Sequence, residues 1–440
     1  MLSTAIDTRA AADWYRRNRQ RSEALFDLID PAAYYTRPIS LRNPIVFYEG
    51  HLPAFSVLAF LRRGLGRPSV DARLETLFER GIDPDSVDAA VPRSGVSTVW
   101  PTRDEVRAFA RACDEAVLAA LPDMPSTPEA IEGLYTALEH EAMHQETLLY
   151  MWHRLPYEQK SRPSMSDGRW PMTDVRGPRS EVGGPSASTR AVPAGAASLG
   201  ADRNAVPFGW DNEFDRHVVQ VPAFDVDVFP VTNAQFLEFI NDNGYARREL
   251  WSDEGWAWIQ TDRVSHPAFW LATDPSAIGR RPSASDDWQW RGMFEALPLP
   301  GDWPVYASHA EASAYARWKG RRLMTEAEWH RAAEGAAPGH ADFAGFDPVP
   351  VGSYPETASI HGVQDLIGNG WEWTSTIFGP FDGFTAMRSY PEYSADFFDG
   401  QHYVMKGASP ATAKELIRPS FRNWFRGNYP YVYTKFRTVR

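Results

Sequence analysis

The sequence predicts an α+β protein in which a four-helix bundle precedes a domain of short strands and much irregular structure. Three observations carry this prediction. Apolar residues recur at helical period through residues 10–160, a polar segment without periodicity follows, and short strand-like runs fill the remainder. At 440 residues the chain exceeds the size at which one core usually stops growing. We therefore expect a bundle at 1–162, a linker at 163–190 and a second domain at 191–440.

The helices in the first third of the chain are predicted from the spacing of apolar residues and from the residues at the helix ends. The strongest pattern runs from Thr127 to Leu155, with Pro128 near its start, where proline is favourable. Similar patterns cover Ala11–Leu28, Pro53–Gly64 and Thr102–Leu121. Four such segments in one third of a chain favour a bundle.

The later part of the chain has a different texture. Short runs such as Val218–Val221 and Phe224–Val228 are broken by Gly, Pro and Asn, which is typical of strands and turns. Helical windows at Asn233–Asn243 and Ser308–Lys319 interrupt these runs. The chain holds 17 Trp, 17 Tyr and 24 Phe, and the Trp are concentrated after residue 200, so we expect loops pinned by large rings.

Composition excludes several classes of function. The formal net charge of −12 lacks the basic footprint of a nucleic-acid-binding protein. No stretch approaches the ~20 consecutive apolar residues of a membrane span, and the N-terminal residues lack the pattern of a secretion signal. The single cysteine, Cys113, fits a reducing compartment. We expect a cytoplasmic protein whose partners are small molecules, with no nucleic acid and no membrane.

A candidate metal site lies in the strongest helix, in His140-Glu141-Ala142-Met143-His144. Imidazoles four residues apart share one face of a helix, which suits two ligands of one metal. The pentapeptide also fits the His-Glu-x-x-His pattern of zinc proteases, where the Glu is the general base. The extended form of that pattern would need Gly and His where Thr147 and Tyr150 stand, so we disfavour this class.

The third candidate ligand is His51, which stands between Gly50 and Pro53 in an apolar and aromatic stretch. We expect it at a chain break just before a helix, where it can point into the bundle. The alternative is a core histidine bonded to a backbone carbonyl. Three neutral imidazoles suit zinc, iron or copper, and the ligand type does not choose among these metals.

The same residues carry a resemblance to a known family. The segment with His51 and the pair His140 and His144 resembles the DinB-like bundle of the sulfoxide synthases of ergothioneine and ovothiol biosynthesis. The remainder is similar to their C-terminal domain, which resembles the formylglycine-generating enzyme and its C-type-lectin-like fold. The matching segments are Val231-Thr232-Asn233-Ala234-Gln235-Phe236, Trp303-Pro304-Val305, Arg322-Leu323-Met324-Thr325-Glu326-Ala327-Glu328-Trp329, Gly368-Asn369-Gly370-Trp371-Glu372-Trp373-Thr374 and Arg422-Asn423-Trp424.

This resemblance implies that His51, His140 and His144 bind Fe(2+), and that O2 is used to join sulfur to the imidazole C2 of a histidine derivative. Tyr390 and Tyr393 resemble a Tyr-x-x-Tyr pair of the family's pocket. A phenol can donate a proton, so Tyr390 is the candidate catalytic acid and Tyr393 the second member. The alternative is ordinary packing of tyrosines on a surface loop.

Further substrate contacts follow from the same resemblance. Asn423 and Trp424 resemble residues that meet hercynine, the trimethylated histidine, and an indole face attracts a quaternary ammonium. The alternative is a core tryptophan. Met143 replaces a glutamine that is common in the family, which removes a polar contact expected for the histidine substrate.

Three departures concern the co-substrate. Members that use γ-glutamylcysteine carry two arginines and an aspartate where Trp100, Phe425 and Tyr429 align here, although Arg426 could partly substitute. Losing guanidinium partners weakens recognition of carboxylates. Aromatic rings instead favour a neutral ring, because sugar C–H faces pack on them. The resemblance therefore implies the selenoneine synthase branch, which joins a selenosugar to hercynine.

Two alternative functions remain open. The first is a sulfur-using relative that takes cysteine or γ-glutamylcysteine as the thiol. The second is a non-catalytic, lectin-like binding protein in which the bundle is inert, since a fold does not by itself imply a chemistry.

Overall fold

The computed structural model describes residues 6–79, 99–163, 188–273 and 287–440. The chain divides into two compact units. The first comprises Met1–Trp170 with Ala386–Tyr393, and the second comprises Pro171–Thr385 with Ser394–Arg440. Most of the predicted linker at 163–190 lies outside the described residues, and a strand begins at Thr189.

The first unit is helical. Its helix α2 contacts α4 and α5, and α1 packs on α5, which gives the predicted bundle. None of the described helices is long and apolar enough to cross a bilayer. Besides short 3-10 turns, the described helices of this unit are α1 (Thr8–Asp27), α2 (Ile45–Ser56), a π-helix (Val57–Gly64), α3 (Ala72–Phe78), α4 (Arg103–Ala120) and α5 (Pro128–Arg154).

Local capping explains where α4 and α5 begin. The Thr102 hydroxyl accepts from the backbone N–H of Glu105, and the Glu105 carboxylate accepts from the backbone N–H of Thr102, which is a capping box. Thr127 caps α5 through its hydroxyl alone, which accepts from the N–H of Ala130, and Pro128 occupies the first turn. Both helices therefore lie within one residue of their predicted bounds.

The predicted break at His51 is wrong. Helix α2 already begins at Ile45, passes through His51 and Pro53, and continues into the π-helix without a loop. All twelve residues of α2 are buried. Packing on every side of this helix outweighs the local cost of an internal proline, which is about 3 kcal/mol.

The second unit combines short helices with small sheets. Its described strands form sheets of order β1-β4-β13-β8, β11-β10-β9-β12, β2-β3 and β5-β6-β7, antiparallel except where β12 pairs with β9. The predicted α+β class is confirmed. The helices are α6 (Asn233–Asn241), α7 (Asp253–Thr261), α8 (His309–Trp318) and α9 (Glu326–Ala332). The strands are β1 (Thr189–Val192), β2 (Gly195–Leu199), β3 (His217–Val221), β4 (Phe224–Asp227), β5 (Trp270–Ala272), β6 (Trp288–Arg291), β7 (Ala296–Pro298), β8 (Arg322–Leu323), β9 (Gly370–Ile377), β10 (His402–Ala408), β11 (Asn423–Arg426), β12 (Thr434–Lys435) and β13 (Thr438–Val439).

The sequence motifs of this unit are mainly structural. Trp371 and Trp373 are fully buried in β9, and Glu372 between them forms a two-point ion pair with Arg437, at 2.9 and 3.0 Å. In the other motif, Thr325 and Glu328 make the capping box that starts α9. These two motifs thus secure the core of the second unit.

Candidate metal centre and substrate residues

Three histidines converge inside the first unit. His140 and His144 lie one turn apart on α5, and His51 faces them from α2. One ring nitrogen from each residue lies within 4.8 Å of the others. The ring centroids are 5.1 Å apart for His51 and His140, 5.0 Å for His51 and His144, and 4.4 Å for His140 and His144. The predicted trio is thus brought together.

The hydrogen bonding of the trio fits a bound cation. The Nδ1 atom of His51 lies 2.7 Å from the Phe78 carbonyl oxygen, so Nδ1 carries the proton and Nε2 keeps its lone pair. Among the residues that the structure describes, the buried nitrogens His51 Nε2, His140 Nδ1 and His144 Nδ1 have no hydrogen-bond partner. Unpartnered buried nitrogens call for an explanation, and a metal ion provides one.

The electrostatics of the trio point the same way. Burial lowers the pKa of His51 to about 4. Burial and the neighbouring imidazoles hold the pKa of His140 well below its usual value, and burial together with His51 and the Arg42 guanidinium does the same for His144. Neutral imidazoles are the form that binds metal ions, because each then offers a lone pair.

Aromatic rings surround the imidazoles. Phe55 stacks on His140 with ring centroids 3.5 Å apart, and Phe47 stacks on His51 with ring centroids 5.1 Å apart. The ring centroid of Trp100 lies 6.3 Å from that of Phe47 and 6.2 Å from that of Phe78. Phe47 therefore lies between Trp100 and His51. These rings fix the orientation of the imidazoles and keep their surroundings apolar.

Glu141 does not have the freedom that a zinc protease would need. Its carboxylate accepts from Arg19 at 2.9 Å and from the Ser22 hydroxyl at 2.6 Å, and only 1% of the residue is exposed. Both partners lie on α1, so Glu141 joins α1 to α5. A general base must reach the proton it removes, and this carboxylate is held in a structural pair instead.

The two predicted tyrosines belong to the first unit although they lie late in the chain. The Tyr390 ring lies 5.0 Å from Phe55 and 6.0 Å from His140. The Tyr393 hydroxyl donates to the Met143 sulfur at 3.5 Å, and the two tyrosine rings are 5.7 Å apart. The structure therefore places Tyr390 beside His140, and it links Tyr393 to Tyr390 and to Met143, the residue before His144.

The other predicted substrate residues lie in the second unit. Asn423, Trp424 and Phe425 occupy β11, which pairs with β10, so Trp424 points to the opposite face from its two neighbours. Trp424 stacks on Phe378 at 4.2 Å and an interplanar angle of 5°. Phe425 stacks on Tyr429 at 5.1 Å and 14°.

Sequence reasoning missed several contributors to the site. Phe55 lies in a segment whose apolar pattern predicts only packing, and no motif singles out the buried Arg42, which donates to Tyr150. Ser389 was also missed, although it directly precedes Tyr390. Their roles depend on partners that are distant in the sequence, and no local spacing indicates such partners.

Comparison with known proteins agrees with this architecture. The profile of the DinB superfamily matches residues 15–148, and that of the sulfatase-modifying factor enzyme 1-like domain matches residues 178–440. The hercynine oxygenase of Mycolicibacterium smegmatis is 33% identical, with 94% of each chain covered.

Two other relatives match with lower coverage. Ergothioneine biosynthesis protein 1 of Neurospora crassa is 26% identical over 92% of this chain and 54% of its own length. The inactive C-alpha-formylglycine-generating enzyme 2 of Mus musculus is 32% identical over 43% of this chain and 68% of its own. The near-complete match at 33% identity decides the family. This chain belongs to the hercynine oxygenase family, with a DinB-superfamily region followed by a sulfatase-modifying factor enzyme 1-like domain.

Proposed function

We propose that this chain is an O2-dependent oxidoreductase that acts on hercynine and binds iron(II) through His51, His140 and His144. The observation that carries the proposal is the convergence of three neutral imidazoles, two buried and one half-buried, with ligand nitrogens within 4.8 Å of one another in a hercynine oxygenase relative. Three imidazoles leave coordination positions open, which is typical of a catalytic rather than a structural site. Bound iron(II) would supply redox chemistry with O2.

The residues around the trio would prepare it for this chemistry. The Phe78 carbonyl fixes the tautomer of His51, and the Phe55 ring fixes the plane of His140. The phenol of Tyr390 is the proton donor that we assign to the reacting group, because its ring lies beside His140. We propose separately that Trp424, in the second unit, attracts the trimethylammonium group of hercynine through its indole face.

The first candidate for the second substrate is a thiol, because the relatives include proteins named for ergothioneine biosynthesis. The reaction would join the thiol sulfur to imidazole C2 and oxidise that sulfur to a sulfoxide. The C2–H and S–H hydrogens leave as water with one oxygen atom of O2, and the other oxygen atom stays on sulfur. Cysteine and γ-glutamylcysteine are the thiols to test.

A selenosugar is the second candidate, and a specific observation favours it. The positions that would bind a charged thiol carry Trp100, Phe425 and Tyr429, and the last two form a neutral stack. Aromatic faces pack against sugar C–H groups, whereas a carboxylate would lose the bidentate arginine partners at these three positions and find only Arg426, next to Phe425 in β11. The reaction would balance in the same way, with selenium in place of sulfur.

One experiment tests the function and separates the two donors. The protein is reconstituted anaerobically with iron(II), then exposed to O2 with hercynine and either a selenosugar, cysteine or γ-glutamylcysteine, and the products are identified by mass spectrometry. We expect product only with iron(II), O2 and hercynine together, and the preferred donor decides between thiol and selenosugar. Activity that persists with zinc and without O2 would indicate a hydrolase. Failure to bind metal would indicate a lectin-like binding protein.

A further inference from the structure

Ser389 is held at all three of its hydrogen-bonding groups within the first unit. Its N–H donates to the Glu132 carboxylate at 2.7 Å, and its carbonyl accepts from Arg63 at 2.8 Å. Its hydroxyl lies 2.8 Å from the hydroxyl of Thr136. Only 3% of Ser389 and none of Thr136 is exposed. Ser389 directly precedes Tyr390 in the chain, so the position of Ser389 determines where the backbone of Tyr390 lies.

The partners of Ser389 share a helix face with the metal ligands. Thr136 precedes His140 by four residues on α5, and Glu132 precedes Thr136 by four more. Residues four apart on a helix lie one above the other, about 6 Å along the axis. The face that anchors the segment before Tyr390 is therefore the face that carries His140, one turn further on.

The other end of the tyrosine pair reaches the same face. The Tyr393 hydroxyl donates to Met143, which lies seven residues after Thr136 on α5. Between them the N–H of Tyr393 donates to the carbonyl of Tyr390 at 3.1 Å, which closes a tight turn. The turn thus spans His140, with Thr136 on one side and Met143 on the other.

A neighbouring contact has a different character. Arg388 pairs with Glu129 at 2.7 Å, but their side chains are 79% and 45% exposed. Exposed ion pairs contribute little, whereas a buried hydroxyl left without its partner is costly. The segment before Tyr390 therefore has a weak surface contact, from Arg388 to Glu129, and a buried one, from Ser389 to Thr136. Because both partners lie on α5, Glu129 is a matched control for Thr136.

We propose that the bonds of Ser389 to Thr136 and Glu132 form a positioning clamp that sets the Tyr390 hydroxyl against the metal centre. This inference rests on the proposed function and deepens it. Ser389 and Thr136 act through Tyr390 and do not touch substrate. Small displacements of a catalytic group are costly, since a misplacement of about 1 Å can reduce turnover about 100-fold.

The kinetic test uses Thr136→Val, which keeps the side-chain shape and removes the hydroxyl, and Thr136→Ser, which restores it. We expect Thr136→Val to lower kcat about tenfold while the KM for hercynine stays within about twofold, and we expect Thr136→Ser to recover kcat. Glu129→Gln should behave as the native protein. Combining Thr136→Val with Tyr390→Phe should slow turnover no further than Tyr390→Phe alone. If the losses in kcat of the two single variants multiply in the double variant, the clamp is overturned.

A second measurement does not depend on turnover. Tyr390 is replaced by 3-fluorotyrosine, the protein is loaded with cobalt(II), and the ¹⁹F line width reports the distance from Tyr390 to the metal. We expect Thr136→Val, and Ser389→Ala as a second variant, to change the line width, whereas Glu129→Gln does not. An unchanged line width in both variants overturns the clamp. Absence of cobalt broadening in the native protein would count against the proposed metal site instead, so the two failures are distinguishable.

Discussion

The phenol ring of Tyr390 lies 6.0 Å from the imidazole of His140, and the two rings meet at 75°. Phe55 contacts both, stacking on His140 at 3.5 Å and meeting Tyr390 at 5.0 Å. The phenol that we propose as the proton donor is therefore held edge-on beside a candidate metal ligand, with a third ring that contacts both.

Replacing Tyr390 with Phe should lower kcat about 100-fold, because general acid catalysis typically contributes at least that factor. The KM for hercynine should change little, since the ring and its packing remain. Tyr393→Phe is the matched control, because it removes the hydroxyl of the neighbouring tyrosine, which donates to the Met143 sulfur at 3.5 Å. Steady-state kinetics with all three proteins checks this assignment, and equal losses in the two variants would count against it.

Removing any of His51, His140 or His144 should eliminate stoichiometric iron(II) binding and turnover, because each would provide one of the three ligands of the proposed site. His153 is the control. It is buried on the same helix but lies outside the trio, so His153→Gln should retain metal. Iron content per folded protein, measured after anaerobic reconstitution, is the readout. Full metal content and activity in His144→Ala would contradict the metal site.

Trp424→Ala should raise the KM for hercynine roughly tenfold, because a cation–π contact contributes ~1 to 2 kcal/mol. Trp424→Phe should lose less, since an aromatic face remains to stack on Phe378. Histidine, which lacks the quaternary ammonium, should be much less affected by either change. A KM for hercynine that is unchanged in Trp424→Ala would remove this residue from the substrate site.

The donor preference should change when charge replaces the stacked rings at Phe425 and Tyr429. We expect Phe425→Asp with Tyr429→Arg to lower any selenosugar rate and raise the use of γ-glutamylcysteine relative to the sugar, because the new charges need partners that a sugar lacks. Product ratios with both donors present measure the change. An unaltered ratio would show that these two residues do not select the donor.

Glu372→Ala should destabilise the second unit by about 3 to 5 kcal/mol, because it leaves Arg437 as a buried charge without its carboxylate. Both side chains are fully buried, whereas Arg247 and Glu249 form a pair that is largely exposed. Glu249→Ala is therefore the control and should leave the unfolding midpoint unchanged. Denaturant unfolding compares the two variants, and a similar midpoint for both would contradict a structural role for the buried pair.

The sequence alone determined the helices that local interactions specify. Helices α4 and α5 begin where capping threonines precede apolar repeats, and their bounds were predicted within one residue. The four-residue spacing of His140 and His144 likewise places both on one face, whatever else the chain does. These features depend on neighbours within one or two turns, so sequence order carries them.

The tertiary structure decided how those local features combine. Burial keeps α2 helical through Pro53 and thereby turns His51 towards α5, although its local sequence indicated a break. Glu141 pairs with Arg19, which is 122 residues away in the sequence, and Ser389 forms a hydrogen bond with Thr136, which is 253 residues away. Contacts over such separations leave no period or spacing in the sequence. They form only when folding makes the packing of whole elements favourable, so the site's ligand pair was predictable from sequence and its completed environment was not.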